Sequence, residues 1–199
     1  MAFYTSLTKN ISYKIIIGVF ATILILTTAT LLFVKNPKTH TISDLAEAQA
    51  AIVKILSKNG FDSDIEALKM IEEVGNLFVL YRNNKTEDVS LATFQSFGIL
   101  PNQYQEISYG GTSKPPKQIK TSGYYGAYKG VPEYLTLGIV YGVNTDRQAY
   151  SYTISLNQST EYSRLIEDQY FIHLYYIDRS KDRISGFVYN KDGESIGWL

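Results

Sequence analysis

The chain has 199 residues, 45% of them hydrophobic and 19% charged, with 19 basic residues against 19 acidic ones. This fits one folded domain plus an attachment and excludes a disordered tail or a large multidomain enzyme. The absence of cysteine excludes disulfides, thiolate catalysis, iron–sulfur clusters and cysteine-bound zinc, and only two histidines remain for other metal chemistry.

No acidic residue precedes Asp44, whereas Lys9, Lys14, Lys35 and Lys38 do. Removing the first 35 residues takes away three of the 19 basic residues and no acidic one, leaving 16 against 19, a net charge of −3. A mildly acidic body argues against nucleic acid as a partner.

Residues 1–14 read as a short cytoplasmic lead. The 20 residues from Ile15 to Val34 carry no charge, and a helix of that length spans about 30 Å, the thickness of a bilayer's hydrocarbon core. Lys14 and Lys35 bracket the run, Tyr13 sits at headgroup level, and Thr22, Thr27, Thr28 and Thr30 can return their hydroxyls to backbone carbonyls. A cleaved signal has a shorter apolar region of roughly 7 to 15 residues. The expectation is therefore a single transmembrane helix over 15–34 in contact with membrane lipid, a single-pass cell-membrane protein, and an extracytoplasmic C-terminal domain.

Pro37 ends that helix, and residues 35–40 form a linker to a domain over 41–199. Thr41 reads as an N-cap, with Ile42, Leu45, Ile52, Val53 and Leu56 on a helical stripe running to Lys58 and a stop at Asn59-Gly60. Ser63-x-x-Glu66 predicts a second helix with Ile65, Leu68, Ile71 and Val74 on one face and Gly75 at its end. A short strand over 77–81, a turn at Asn83-Asn84-Lys85 and a short helix over 88–97 follow.

Beyond residue 130 the apolar period changes from 3.6 to 2, most clearly where Tyr150, Tyr152, Ile154 and Leu156 alternate with Ser151, Thr153 and Ser155. Strands are predicted over 134–141, 148–156, 169–177 and 184–189, with turns at 144–146, 179–182 and 190–193. The stretch 169–177 is apolar on both faces and is placed at the centre of the sheet. The predicted fold class is α+β: two or three amphipathic helices packed on an antiparallel meander of about four or five strands.

Familiar catalytic and nucleotide-binding motifs are absent, and no cofactor or metal is expected. His40 falls in the linker, and His173 reads as a buried, hydrogen-bonded residue. The segment from Ile107 to Pro132 has no acid and five glycines. Within it Lys114, Lys117, Lys120, Tyr124, Tyr125, Tyr128 and Lys129 form a candidate binding loop for an anionic or sugar-bearing ligand. An opposite candidate face gathers Asp62, Asp64, Glu66, Glu72 and Glu73; the two patches read as an internal or unrelated set of ion pairs, with head-to-tail contact between copies as the alternative. Twelve of the 17 tyrosines fall between residues 124 and 189, more than one core needs, which points to protein contact on a sheet surface.

The order of lead, anchor, paired helices and sheet is similar in layout to inner-membrane subunits of secretion and conjugation systems, and to type IV pilins. The chain departs from pilins in lacking a Gly-Phe-Thr-x-x-Glu processing site and in carrying Pro37. This layout, with the composition, implies a non-enzymatic, membrane-anchored scaffold or assembly subunit of a cell-envelope complex. Its expected partners are other envelope proteins and further copies of itself. The alternative is a membrane-tethered sensor or binding module using the Lys/Tyr loop.

Overall fold

The structure, a computed structural model, describes residues 17–27, 39–97, 101–109, 119–124, 131–144, 148–156, 159–178 and 184–198. The chain divides into two compact units, Met1–Thr39 and His40–Leu199. In the first, helix α1 covers residues 17–27. Thr22 and Thr27 donate their hydroxyls to the carbonyls of Gly18 and Ile23, each at 2.8 Å, so the helix backbone satisfies both. Its large apolar side chains are all exposed, from Ile17 at 51% to Phe20 at 70%.

At 1.5 Å per residue the described part of α1 accounts for about 16 Å, against the ~30 Å of a hydrocarbon core. Among the described residues no helix is long and apolar enough to cross a membrane. This corrects the transmembrane helix expected over 15–34, and with it the single-pass, extracytoplasmic placement built on that helix. An uncharged run sets only the upper limit of the helix it can form; residues 15–16 and 28–34 lie outside those described.

Apart from α1, the described chain forms β1 (Thr39–Thr41), α2 (Leu45–Lys58), β2 (Ile65–Glu73), β3 (Asn76–Asn83), β4 (Val89–Ser96), β5 (Gln103–Tyr109) and β6 (Ile119–Tyr124). It continues with β7 (Leu135–Val143), β8 (Ser151–Leu156), β9 (Ser159–Leu165), β10 (Tyr170–Asp178), β11 (Ile184–Tyr189) and β12 (Ser195–Trp198). The strands build three sheets, in the orders β1-β5-β4-β3-β2, β10-β7-β6 and β12-β11-β8-β9. The molecule is thus mostly β, which corrects the helix-rich α+β class and its single meander.

Helix α2 begins later than Thr41. Asp44 is its N-cap, accepting the Glu47 N–H at 2.9 Å, while the Glu47 carboxylate accepts the Ser43 N–H at 2.7 Å. Two otherwise unpaired donors are satisfied reciprocally, which favours this start over Thr41.

The second and third expected helices are strands. Apolar residues three apart at 65, 68 and 71 also suit a strand with one extra residue, and the β2–β3 register shifts between Ala67 and Lys69. That bulge turns Ile65, Ala67 and Met70 toward α2, and Leu68 and Ile71 to the opposite face. Val74 and Gly75, with φ of 49° and 69°, then close a two-residue hairpin of the kind that needs positive φ at both positions. In β4, Ala92 and Phe94 face α2 while Val89 and Leu91 face away.

Three apolar clusters define the layers. Ala48, Ile52, Ile55 and Leu56 of α2 pack on Leu77, Val79, Tyr81 and Phe94 of the five-stranded sheet. Phe78, Leu80 and Leu91 on that sheet's other face meet Leu137, Ile139 and Tyr141 of β7 with Ile172 and Leu174 of β10. The opposite parity, Val140 with Phe171, Tyr175 and Ile177, packs on Tyr152, Ile154, Leu156 and Val188 of the four-stranded sheet. The order is helix, five strands, three strands, four strands.

Strand β10 is therefore apolar on both faces because it lies in the middle layer. Among the described residues it is an edge of its own sheet, and β7 holds the centre.

Gly138 of β7 lies opposite Tyr175 in the β7–β10 ladder, and a Cβ there would run into the fully buried Ile177 side chain. The Gly138→Ala variant is expected to lose roughly 1–3 kcal/mol of stability through overpacking, measured by urea unfolding. An unchanged midpoint would show that the middle layer can relax around the added methyl.

Candidate interaction site

The five acids predicted as one face are dispersed by the strand that replaces the expected helix, and each is engaged by its own chain. Asp62 meets Lys85 at 3.1 Å, Asp64 accepts from the Asn84 amide at 2.9 Å, and Glu66 pairs with Arg82 at 2.7 Å. Glu72 interacts with Tyr104, and Glu73 accepts the Tyr176 hydroxyl at 3.2 Å. The Asp64 N–H bonded to the Asp62 carboxylate, with Lys85 beside it, holds the Asp62 carboxyl below its ordinary value. These pairs are exposed and contribute little each.

Of the predicted Lys/Tyr loop, Lys120 and Tyr124 lie on β6. Lys114, Lys117, Tyr125, Tyr128 and Lys129 lie outside the described residues.

The alternation of β8 and β10 brings together a polar cluster that chain order conceals. The Tyr152 hydroxyl is 2.7 Å from His173 Nδ1 and bonds the Tyr175 hydroxyl. The two rings stand perpendicular, with centroids 6.3 Å apart. Tyr162 of β9 tilts over Tyr175 at 4.7 Å and donates its hydroxyl to the Tyr176 carbonyl at 2.9 Å. A neutral His173 protonated on Nε2 accepts from Tyr152, which in turn accepts from Tyr175.

Burial raises the pKa of both Tyr152 and Tyr175, so both phenols stay protonated. Burial also pushes His173 down to about 4, with Arg164 and Lys69 adding to the shift and Asp168 opposing it. The cluster is a hydrogen-bonded pin between the middle and outer sheets, with the Arg164 guanidinium also bonded to Tyr175.

The outer face of the four-stranded sheet has a different character. Because Tyr152, Ile154, Leu156 and Val188 point inward, their neighbours point out: Ser151, Thr153 and Ser155 on β8, Ser163 and Leu165 on β9, and Ser185, Phe187 and Tyr189 on β11. They align in rows, with Phe187 opposite Thr153 and Thr153 opposite Ser163, and Tyr189 opposite Ser151 and Ser151 opposite Leu165.

None of these eight residues carries a charge. The Phe187 and Tyr189 rings lie 6.5 Å apart, and Leu165 is 45% exposed. The uncharged alternation at 151–155 signals this surface in the sequence, where a solvated face would ordinarily carry Lys or Glu. Its assembly from three strands is not visible there. No family model, curated protein or solved structure matches the chain.

The His173 shift carries a pH dependence. The unfolded chain binds a proton near pH 6.5 and the folded one only near 4, so the folded state loses stability as pH falls across that window. The partly exposed ring limits the loss to about 2 kcal/mol. Chemical denaturation at pH 7, 5.5 and 4 measures it, and His173→Gln, which is neutral throughout and keeps an acceptor for Tyr152, is expected to flatten that part of the profile.

Proposed function

We propose that the chain is a non-enzymatic scaffold or assembly subunit that works through protein–protein contacts. The reading rests on one observation, the uncharged hydroxyl and aromatic face of the outer sheet. The centre of a protein interface is depleted of charge and enriched in aromatic rings, and Tyr with Ser supplies contact area and adaptable hydrogen bonds at low entropic cost.

The size of the face limits what it does alone. Three strands spaced about 4.8 Å apart and six residues rising about 3.3 Å each cover roughly 300 Å². That is less than half of the ~800 Å² per partner of a stable interface. One copy therefore supports a transient contact, and lasting assembly needs additional surface.

Thr153 sits at the centre of the face, between Phe187 and Ser163. A Thr153→Glu variant of the full chain, its fold checked by circular dichroism, is expected to crosslink at least tenfold less to the protein partners that the unaltered chain reaches in its native source. Undiminished crosslinking overturns the reading. Loss of binding to a neutral polysaccharide, with protein crosslinks intact, replaces it with a sugar-binding module.

A further inference from the structure

The middle sheet ends at β10, and the three layers treat their edges differently. Strand β2, an edge of the five-stranded sheet, carries Glu66, Lys69, Glu72 and Glu73 and a bulge between Ala67 and Lys69. The β8–β9 ladder at one edge of the outer sheet also shifts register, and β12 at the other edge is four residues long. Charges, bulges and short strands are the devices that prevent an edge from pairing with another chain. Strand β10 has only one of them, the charge of Asp178 at its last position: its nine-residue register with β7 is unbroken and no Asp, Glu, Lys or Arg occurs from Tyr170 to Ile177.

The register also fixes which backbone groups face outward. The Asn144 N–H donates to the Gln169 carbonyl directly opposite it, at 2.7 Å. Gln169 is thus a hydrogen-bonded position and Tyr170 a non-bonded one, in the alternation of an antiparallel ladder. Counting on through the unbroken register, the N–H and C=O groups of Tyr170, Ile172, Leu174 and Tyr176 point away from β7. The Tyr176 carbonyl already accepts from Tyr162, which leaves Tyr170, Ile172 and Leu174, among the described residues, as a three-position template.

We infer that this edge pairs antiparallel with β10 of a second copy, centred on Ile172. Ile172 lies opposite Ile172 of the second copy, and Tyr170 opposite Leu174 on either side, so all three outward positions are used and Tyr176 keeps its own partner. Charge selects this occupant. One end of the open stretch carries Lys69 bonded to Asp168 at 2.6 Å, and the other carries Glu73 bonded to Tyr176. Antiparallel pairing brings Lys69 of each copy to Glu73 of the other. The twofold axis lies perpendicular to the sheet, so the uncharged outer faces of both copies look the same way and together present roughly 600 Å², closer to the ~800 Å² of a stable interface. The pairing uses a surface separate from that face and stands or falls independently of it.

Because the chain has no cysteine, register can be tested with single introduced thiols. Directly opposed strand residues have Cα atoms about 5.5 Å apart, within disulfide range. Full-length Tyr170→Cys and Leu174→Cys proteins, mixed and oxidised, are expected to form the mixed disulfide at least tenfold faster than either protein crosslinks with itself.

In sedimentation experiments Lys69→Glu or Glu73→Lys is expected to weaken the dimer, and the double exchange to restore it. Equal crosslinking rates in all three mixtures overturn the proposal, including the case in which copies associate through α1. So does a monomer that the charge variants leave unchanged. A Thr153→Glu chain that loses its partners while keeping the mixed disulfide separates failure of the face from failure of the edge.

Discussion

The second compact unit depends on two strands that are apolar on both faces. In β7 and β10 the odd and even positions both carry buried side chains, so each strand serves two cores at once: Leu137, Ile139, Tyr141, Ile172 and Leu174 toward the five-stranded sheet, and Val140, Phe171, Tyr175 and Ile177 toward the outer one. Burying a side chain of this kind contributes about 1.5–3 kcal/mol. A sheet that is apolar on both faces is stable only when both are covered. The layered stack follows from that demand, with α2 needed only on the far side of the five-stranded sheet, where a third cluster forms.

The polar groups in the outer interlayer space are consistent with this arrangement. Tyr152 is fully buried, and its hydroxyl would be costly without partners; His173 and Tyr175 supply them from β10. The imidazole is kept neutral by its surroundings, so the cluster adds direction to an otherwise apolar contact and fixes how the outer sheet sits on the middle one. The same alternation that aims Tyr152 inward aims Ser151, Thr153 and Ser155 outward. Core and contact face are therefore two readings of one period. The edge of β10 is a third consequence, since a strand buried on both faces by flanking sheets has no solvent-facing row on which to carry protective charges.

Much of the C-terminal half was legible from the period of its side chains. Strand β11 falls at the expected residues, β7, β8 and β10 lie within a few residues of theirs, and the Asn190–Gly193 turn closes on the Asn190 side chain, which accepts from the N–H groups of Asp192 and Glu194. Helix α2 was legible too, apart from its start. The failures at 63–75 and 88–97 have local causes. A bulge mimics helical spacing, and Val74 is an unusual residue for a positive-φ turn. In β4 the two faces are both buried, so Val89, Leu91, Ala92 and Phe94 give no clean alternation. Of the uncharged run at 15–34, the described residues 17–27 are helical.

By itself, the sequence determined composition and charge, the absence of thiol chemistry, the ends of several strands and the double-sided apolarity of 169–177. These are properties of single residues or of neighbours along the chain, and backbone period converts them into local structure. Tertiary structure alone decided that the strands separate into three sheets and that Tyr152 meets His173 and Tyr175. It also gave each acid of β2 a separate partner, and left β10 at an edge of the described sheet while enclosing both its faces. Each of those outcomes joins residues far apart in the chain through register and layering, and none is encoded by any local spacing.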